Sequence, residues 1–201
     1  MAVSKTTIIS NAITILGHKP IITLDNPDDL VVAAEQAYDM LLPFVLSSNN
    51  WRFATTITQL TQLNTVPPPN TWAVIFEQPA GFLKNLRIWP QSYQYDFYAP
   101  NLIYSNWSGN TPVYMEYVFQ PAENTFPAHF VAYFVQEIVQ YLALSNANKP
   151  EFYDKIKAES IRMMGIAAAI EAQNRPQFSQ VNFPTISMRN FTEFSGNVTS
   201  A

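Results

Sequence analysis

The chain has 201 residues, with fifteen prolines, five glycines and no cysteine, and only 13% of it is charged. That is roughly half the ~25% of an ordinary soluble domain, and the deficit is made up mostly by Asn, Gln, Thr and Ser. Lack of cysteine excludes a disulfide scaffold or thiolate metal site, the 48% hydrophobic content opposes wholesale disorder, and a net charge of −4 argues against a basic nucleic-acid-binding face.

The length fits one domain, or one domain with an appendage. A surface poor in charge loses solubility unless much of it is covered, so obligate assembly is the first expectation. Residues 1–10 hold a single Lys with no long apolar core behind it, so no secretory leader is expected. No uninterrupted apolar run approaches the ~18 residues of a membrane span. A soluble protein made in a cytoplasm, with no membrane partner, is expected. The sequons at Asn106, Asn190 and Asn197 are read as chance.

The spacing predicts a first helix over residues 5–16, capped by Ser4 and ended by Gly17, with Ile8, Ala12, Ile15 and Leu16 on one stripe. His18 would sit at its negative end. A second helix is predicted from Asn26 as cap and Pro27 at the first turn to about residue 47, with Asp28 and Asp29 at the positive end of its dipole. Its inward stripe is Leu30, Ala33, Ala34, Ala37, Leu41 and Val45, and Pro43 should kink it or end its regular part near Leu42.

Residues 53–76 contain no charged side chain. Strands are predicted over 55–63, 72–76, 86–89, 93–98, 102–104 and 113–119, with Ala99, Pro100 and Asn101 as a turn and residues 67–70 as a polyproline loop. Val113, Met115, Tyr117 and Phe119 alternate onto one face. The sum is one antiparallel sheet of four to six short strands. Helix returns at Thr125 with Pro127 in its first turn and Phe130, Phe134, Ile138, Tyr141 and Leu142 inward. A last helix from about residue 149 to 174 turns Phe152, Ile156, Met163, Ala167 and Ile170 inward. The fold class is therefore α+β: a four-helix bundle-like core from residues 1–52 and 124–175, an inserted antiparallel sheet region at 53–123, and an extended tail at 176–201. That tail has no helical period, yet it carries Phe178, Phe183, Phe191 and Phe194. Free disordered segments are poor in aromatics, so it is read as a docking tail; wrapping its own domain is the alternative.

Little in the chain suggests chemistry. The glycines at 17, 81, 109, 165 and 196 are too scattered for a phosphate-cradling loop. His18 and His129 stand in no metal-ligand spacing and are read as structural, no nucleophile elbow occurs, and no cofactor is expected. Glu35 and Asp39 lie at i,i+4 on one helix face, as an acid/base pair or simply as a solvated face. Glu77, Asp96, Glu116 and Glu123 are isolated acids in the charge-poor middle, which sequence cannot place across a cleft. Trp51, Trp72, Trp89 and Trp107 could stack on sugars, or pack in a core or subunit contact.

Residues 34–55, AEQAYDMLLPFVLSSNNWRFAT, contain a Tyr-Asp pair (Tyr38, Asp39), a leucine-rich turn and a W-x-F-A run from Trp51 and Phe53. This phrase resembles head-to-tail adaptor subunits of short-tailed phages, the tail tubular protein A or gatekeeper family. Residues 12–17 followed by Thr23 and Leu24 resemble the family's opening helix. Residues 78–83 with Leu86, Arg87 and Ile88 are similar to its P-x-D-C-L-R-V stretch, and 113–119 with 126–130 resemble its final strand and third helix. The likeness spans about residues 5–175. Gly81 stands where an acid is common, Asn85 intervenes before Leu86, and Pro43 replaces a basic residue, so a family ion pair at that place is not expected. The resemblance implies a dodecameric ring between portal and tail nozzle, in the neck of the virion, assembled in the host cytoplasm. It also implies duplex DNA passing through without sequence-specific binding, and a C-terminal segment reaching the portal. Some relatives are credited with peptidoglycan hydrolysis, but no residue here matches a hydrolase motif. A muramidase-like hydrolase and a carbohydrate-binding module stand as the alternatives.

Overall fold

The computed structural model describes residues 3–25, 28–65, 72–98, 100–109, 111–144 and 150–174. Among them the elements run α1 (Lys5–Ile15), α2 (Asp29–Ser48), β1 (Thr55–Gln59), β2 (Gln62–Leu63), β3 (Val74–Glu77), β4 (Phe82–Trp89), β5 (Tyr95–Tyr98), β6 (Leu102–Ser105), β7 (Tyr114–Phe119), α3 (Ala128–Leu144) and α4 (Pro150–Gln173). Single 3-10 turns at Arg52–Ala54 and Glu123–Thr125 lead into and out of the strand region. The class is mixed α+β, with every described strand inside residues 55–119 and every α-helix outside it.

α1 begins where Ser4 Oγ accepts the Thr7 N–H. It ends in paired backbone bonds: Gly17 N–H to the Thr14 carbonyl and His18 N–H to that of Ile13. That closure needs a left-handed residue, and Gly17 has φ +90°. His18 thus caps the helix through its backbone. Ile8 and Ala12 are buried as predicted, joined by Ile9 and Ile13, whereas Leu16 is half-buried and Ile15 exposed.

α2 starts later than predicted. Its cap is Asp28, whose carboxylate accepts the Leu30 N–H; Asn26 and Pro27 lie outside the described residues. Pro43 does not end the helix, which runs on to Ser48. Ala34, Ala37 and Val45 face inward as expected, joined by Val31, Tyr38, Leu42 and Leu46, while Leu30, Ala33 and Leu41 are only half-buried. α2 is long and apolar enough by composition to cross a membrane; here its inner face packs on α1 and α3.

The predicted single sheet is two. β1-β7-β4 form one antiparallel sheet and β2-β3-β6-β5 another. The strand expected over 55–63 breaks at Leu60 and Thr61, where the chain crosses between sheets. Leu60 donates its N–H to the Val113 carbonyl, and Thr61 accepts from Glu77. β7 is buried on both sides: Val118 joins the helical core, whereas Met115 and Tyr117 pack with Phe76 and Ile103 of the second sheet. The layers are therefore helices, first sheet, second sheet. β4 carries two register shifts opposite β7, around Leu83 and Leu86. In a regular strand residues three apart face opposite ways; the bulges let both leucines reach the helical core while Phe82 and Ile88 meet the second sheet. The β5–β6 turn places Asn101 at φ 54°, a conformation Asn tolerates.

α3 starts at Ala128, after the 3-10 turn that holds Thr125. It is the helix on which α1, α2 and α4 all pack. Its buried arc turns along its length, from Phe130 and Phe134 to Leu142 and Ala143; Tyr133 is inside and Tyr141 exposed, against expectation. α4 has α3 as its principal partner. Ile156 and Ala167 are buried as predicted, but Ser160 and Glu171 share that face, and Phe152 and Ile170 point outward.

Candidate functional site

The phrase that carries the resemblance folds into a packing node. Trp51 is fully buried, and its indole Nε1–H donates 2.9 Å to the Val45 carbonyl. Its ring lies 5.2 Å from Phe130, and that of Phe53 lies 4.8 Å from Phe130 and 5.9 Å from Phe126. Tyr38 is buried 5.2 Å from Phe134 and donates its hydroxyl 3.2 Å to Glu123. Burial, then the Glu123 charge, pushes the Tyr38 phenol far above its ordinary value. These side chains join the exit of α2, the entry to β1 and the start of α3.

Glu35 and Asp39 do come together, but around a cation. Lys5 Nζ lies 2.8 and 3.0 Å from the two Asp39 oxygens and 3.5 Å from Glu35, and 5.2 Å from the Tyr38 ring centroid. Burial pulls the Lys5 ammonium down, and the Asp39 hydrogen bond and charge, with Glu35, outweigh it, so the net shift is upward. Both carboxylates are thus engaged by one lysine and do not face each other across an open cleft as an acid/base pair would. Of the isolated acids, Glu123 serves Tyr38, Glu116 stands opposite Arg87 across the β4–β7 ladder, and Glu77 and Asp96 are exposed.

The polar group least visible in the sequence is Glu171. It is 5% exposed near the C-terminal end of α4. One oxygen accepts the Arg52 backbone N–H, and the other lies 3.1 Å from His129 Nε2. The carboxylate ties the end of α4 to the Trp51 joint and to the first turn of α3, and neither oxygen is left for a substrate. A carboxylate opposes the negative end of a helix dipole, and that misplacement was the available signal. A second tie joins Ser160 to Glu137. Burial, then the Glu137 charge, raises the Tyr133 phenol well above its ordinary value.

The sheets present aromatic surface instead. All four residues of β5 are exposed, among them Tyr95, Phe97 and Tyr98. Their rings meet edge-on, at 88° for Tyr95–Phe97 and 68° for Tyr98–Tyr104. Rings set this steeply to one another do not lie in one common plane. At the crossover a cleft of about 690 Å³ is lined by Gln59, Leu60, Gln62, Phe76, Trp107 and Val113 among others. No lining residue is charged.

Among the described residues no group of His, Asp and Glu could hold a metal ion. Compared with known families and with curated proteins, the chain matches no family model and no curated protein. Phe178, Phe183, Phe191 and Phe194 of the expected docking tail lie outside the described residues.

Proposed function

We propose that the chain is a structural head-to-tail adaptor of a short-tailed phage, with no chemistry of its own. Copies form a ring, a dodecamer in the family it resembles, that joins the portal to the tail nozzle and lets duplex DNA pass. In this proposal residues 1–52 and 124–175 make a four-helix bundle-like core, 53–123 an inserted sheet region, and 176–201 a tail whose phenylalanines dock on the portal. The ring belongs to the neck of the virion and is assembled in the host cytoplasm.

One observation carries the reading. Tyr38, Trp51 and Phe53, the residues of the resembling phrase, are spent on joining helices to sheets, while apolar side chains remain on the outside of α2, α4 and β5. That is the economy of a subunit whose work is contact. An acidic net charge of −4 suits a lumen through which DNA slides without sticking. The Lys5 contacts of Glu35 and Asp39 weigh against hydrolysis.

The test is negative-stain electron microscopy of the purified protein mixed with its portal. A ring capping the portal is expected. Portals left bare at saturating protein would sink the proposal, as would clearing of peptidoglycan by the purified protein in a zymogram that Glu35→Gln or Asp39→Asn abolishes.

A further inference from the structure

Two helices carry apolar side chains on faces that no part of the described chain covers. On α2, Val32, Met40 and Phe44 are 44%, 52% and 67% exposed. They recur at helical spacing with Asp29 at the start of the same face. On α4, Phe152, Ile166 and Ile170 are exposed, and with Met163 they share one strip. Met163 also walls an apolar groove of about 520 Å³ against Ile15 of α1 and Val131 and Val135 of α3, so the strip runs on into uncharged surface.

The two faces are complementary in charge and in spacing. α2 contains neither Lys nor Arg, and of its acids Glu35 and Asp39 are held by Lys5 of α1, which leaves Asp29 for a neighbour. On α4, Glu159 of the same strip is held by Arg162, and Lys155 has no carboxylate within ion-pair distance among the described residues. Met40 and Phe44 follow Asp29 by eleven and fifteen residues, and Ile166 and Ile170 follow Lys155 by the same eleven and fifteen. At 1.5 Å per residue, helices laid parallel would match the ion pair and both apolar pairs along about 22 Å. Both α2 and α4 pack on α3, and these outer faces are left over on each. One copy therefore cannot satisfy itself this way.

We propose that the outer face of α2 on one copy docks in parallel on the outer strip of α4 on the next copy of this chain, with Asp29 against Lys155 and Met40 and Phe44 against Ile166 and Ile170. The contact joins two different faces, so it propagates head to tail and closes only as a ring. The inference deepens the adaptor reading and rests on its ring.

The lack of cysteine makes the test clean. A full-length Met40→Cys/Ile166→Cys chain is treated at high concentration with a short bismaleimide. The expected product is a ladder of dimers, trimers and longer species. Mixed Met40→Cys and Ile166→Cys single variants should give dimers only, and either single variant alone should give almost none. Adding Phe44→Glu to the double variant should cut ladder yield about tenfold or more, as for an interface anchor. Absence of a ladder overturns the proposal. So does a Met40→Cys dimer as abundant as the mixed one, which means a symmetric contact. A ladder that appears only after residues 175–201 are deleted also overturns it, and makes the chain's own tail the occupant of the strip. A ring on the portal without the ladder refutes this contact and leaves the adaptor standing; a ladder with bare portals does the reverse.

Discussion

The two apolar cores of this chain differ in depth and in what they leave outside. Among the described residues the helical core holds twenty-five buried hydrophobic side chains, with Trp51, Phe130 and Phe134 fully enclosed. The core between the sheets holds seven, and the second sheet's edge strand β5 turns three aromatics to its surface. Burial scales with apolar area, at about 25 cal/mol per Å², so the helices and the first sheet supply most of the folding energy. The second sheet leaves Tyr95, Phe97 and Tyr98 on its surface. Burial is thus divided unequally between regions of one short chain.

The sharpest way to break that division is Trp51→Ala. It removes the central ring and the Nε1–H bond to Val45, and a loss of about 3–5 kcal/mol is expected, read as a shift of the urea midpoint with global unfolding. Met115→Ala, fully buried between the sheets, should cost about 2–4 kcal/mol. Its effect should appear in hydrogen exchange as faster opening of β2, β3, β5 and β6, with α1 and α3 still protected. Equal loss of protection in helices and second sheet would mean that the two regions unfold as one, and the comparison would fall. Glu171→Ala strands the Arg52 N–H and His129, for about 1–3 kcal/mol. Glu171→Gln restores an acceptor and should recover much of the loss in the same urea titration.

What the sequence revealed follows the same division. Ser4 and Gly17 act locally, through a side-chain cap and a left-handed residue, and both ends of α1 were legible. The break at Leu60 is set by which strands Gln59 and Gln62 pair with far along the chain, so one strand was predicted where two sheets meet. The stripes of α2 and α4 were read only in part. Leu30, Ala33 and Leu41 are half-buried, and Phe152 and Ile170 are exposed although as apolar as Ile156 and Ala167, because periodicity marks an apolar face without fixing how the helix is turned on its core. Glu171 faces inward although charged, and only its place at the wrong end of a helix hinted at a partner. Asp39 and Glu35 were correctly seen on one face, but Lys5, thirty-four residues before Asp39, was beyond any local pattern.

The smallest expected effect concerns how the helical core responds to alkali. Lys5, Tyr38 and Tyr133 are all raised above their ordinary values of 10.5 and 10.0; between the sheets burial raises Tyr117 in the same direction. Each group releases its proton at lower pH in the unfolded chain than in the folded one. Stability is therefore fully present below about pH 10 and declines as pH rises from the unfolded values through the folded ones. The Lys5 share is small, because a partly exposed ion pair contributes no more than about 1 kcal/mol. The tyrosines dominate, and two of the three sit in the helical core. Tyr38→Phe gives up the Glu123 hydrogen bond at neutral pH, about 1 kcal/mol, but removes one ionisation. Between about pH 9 and about pH 11 its urea midpoint should fall less steeply than that of the parent. An identical slope would mean that Tyr38 is not held neutral against Glu123 in the helical core.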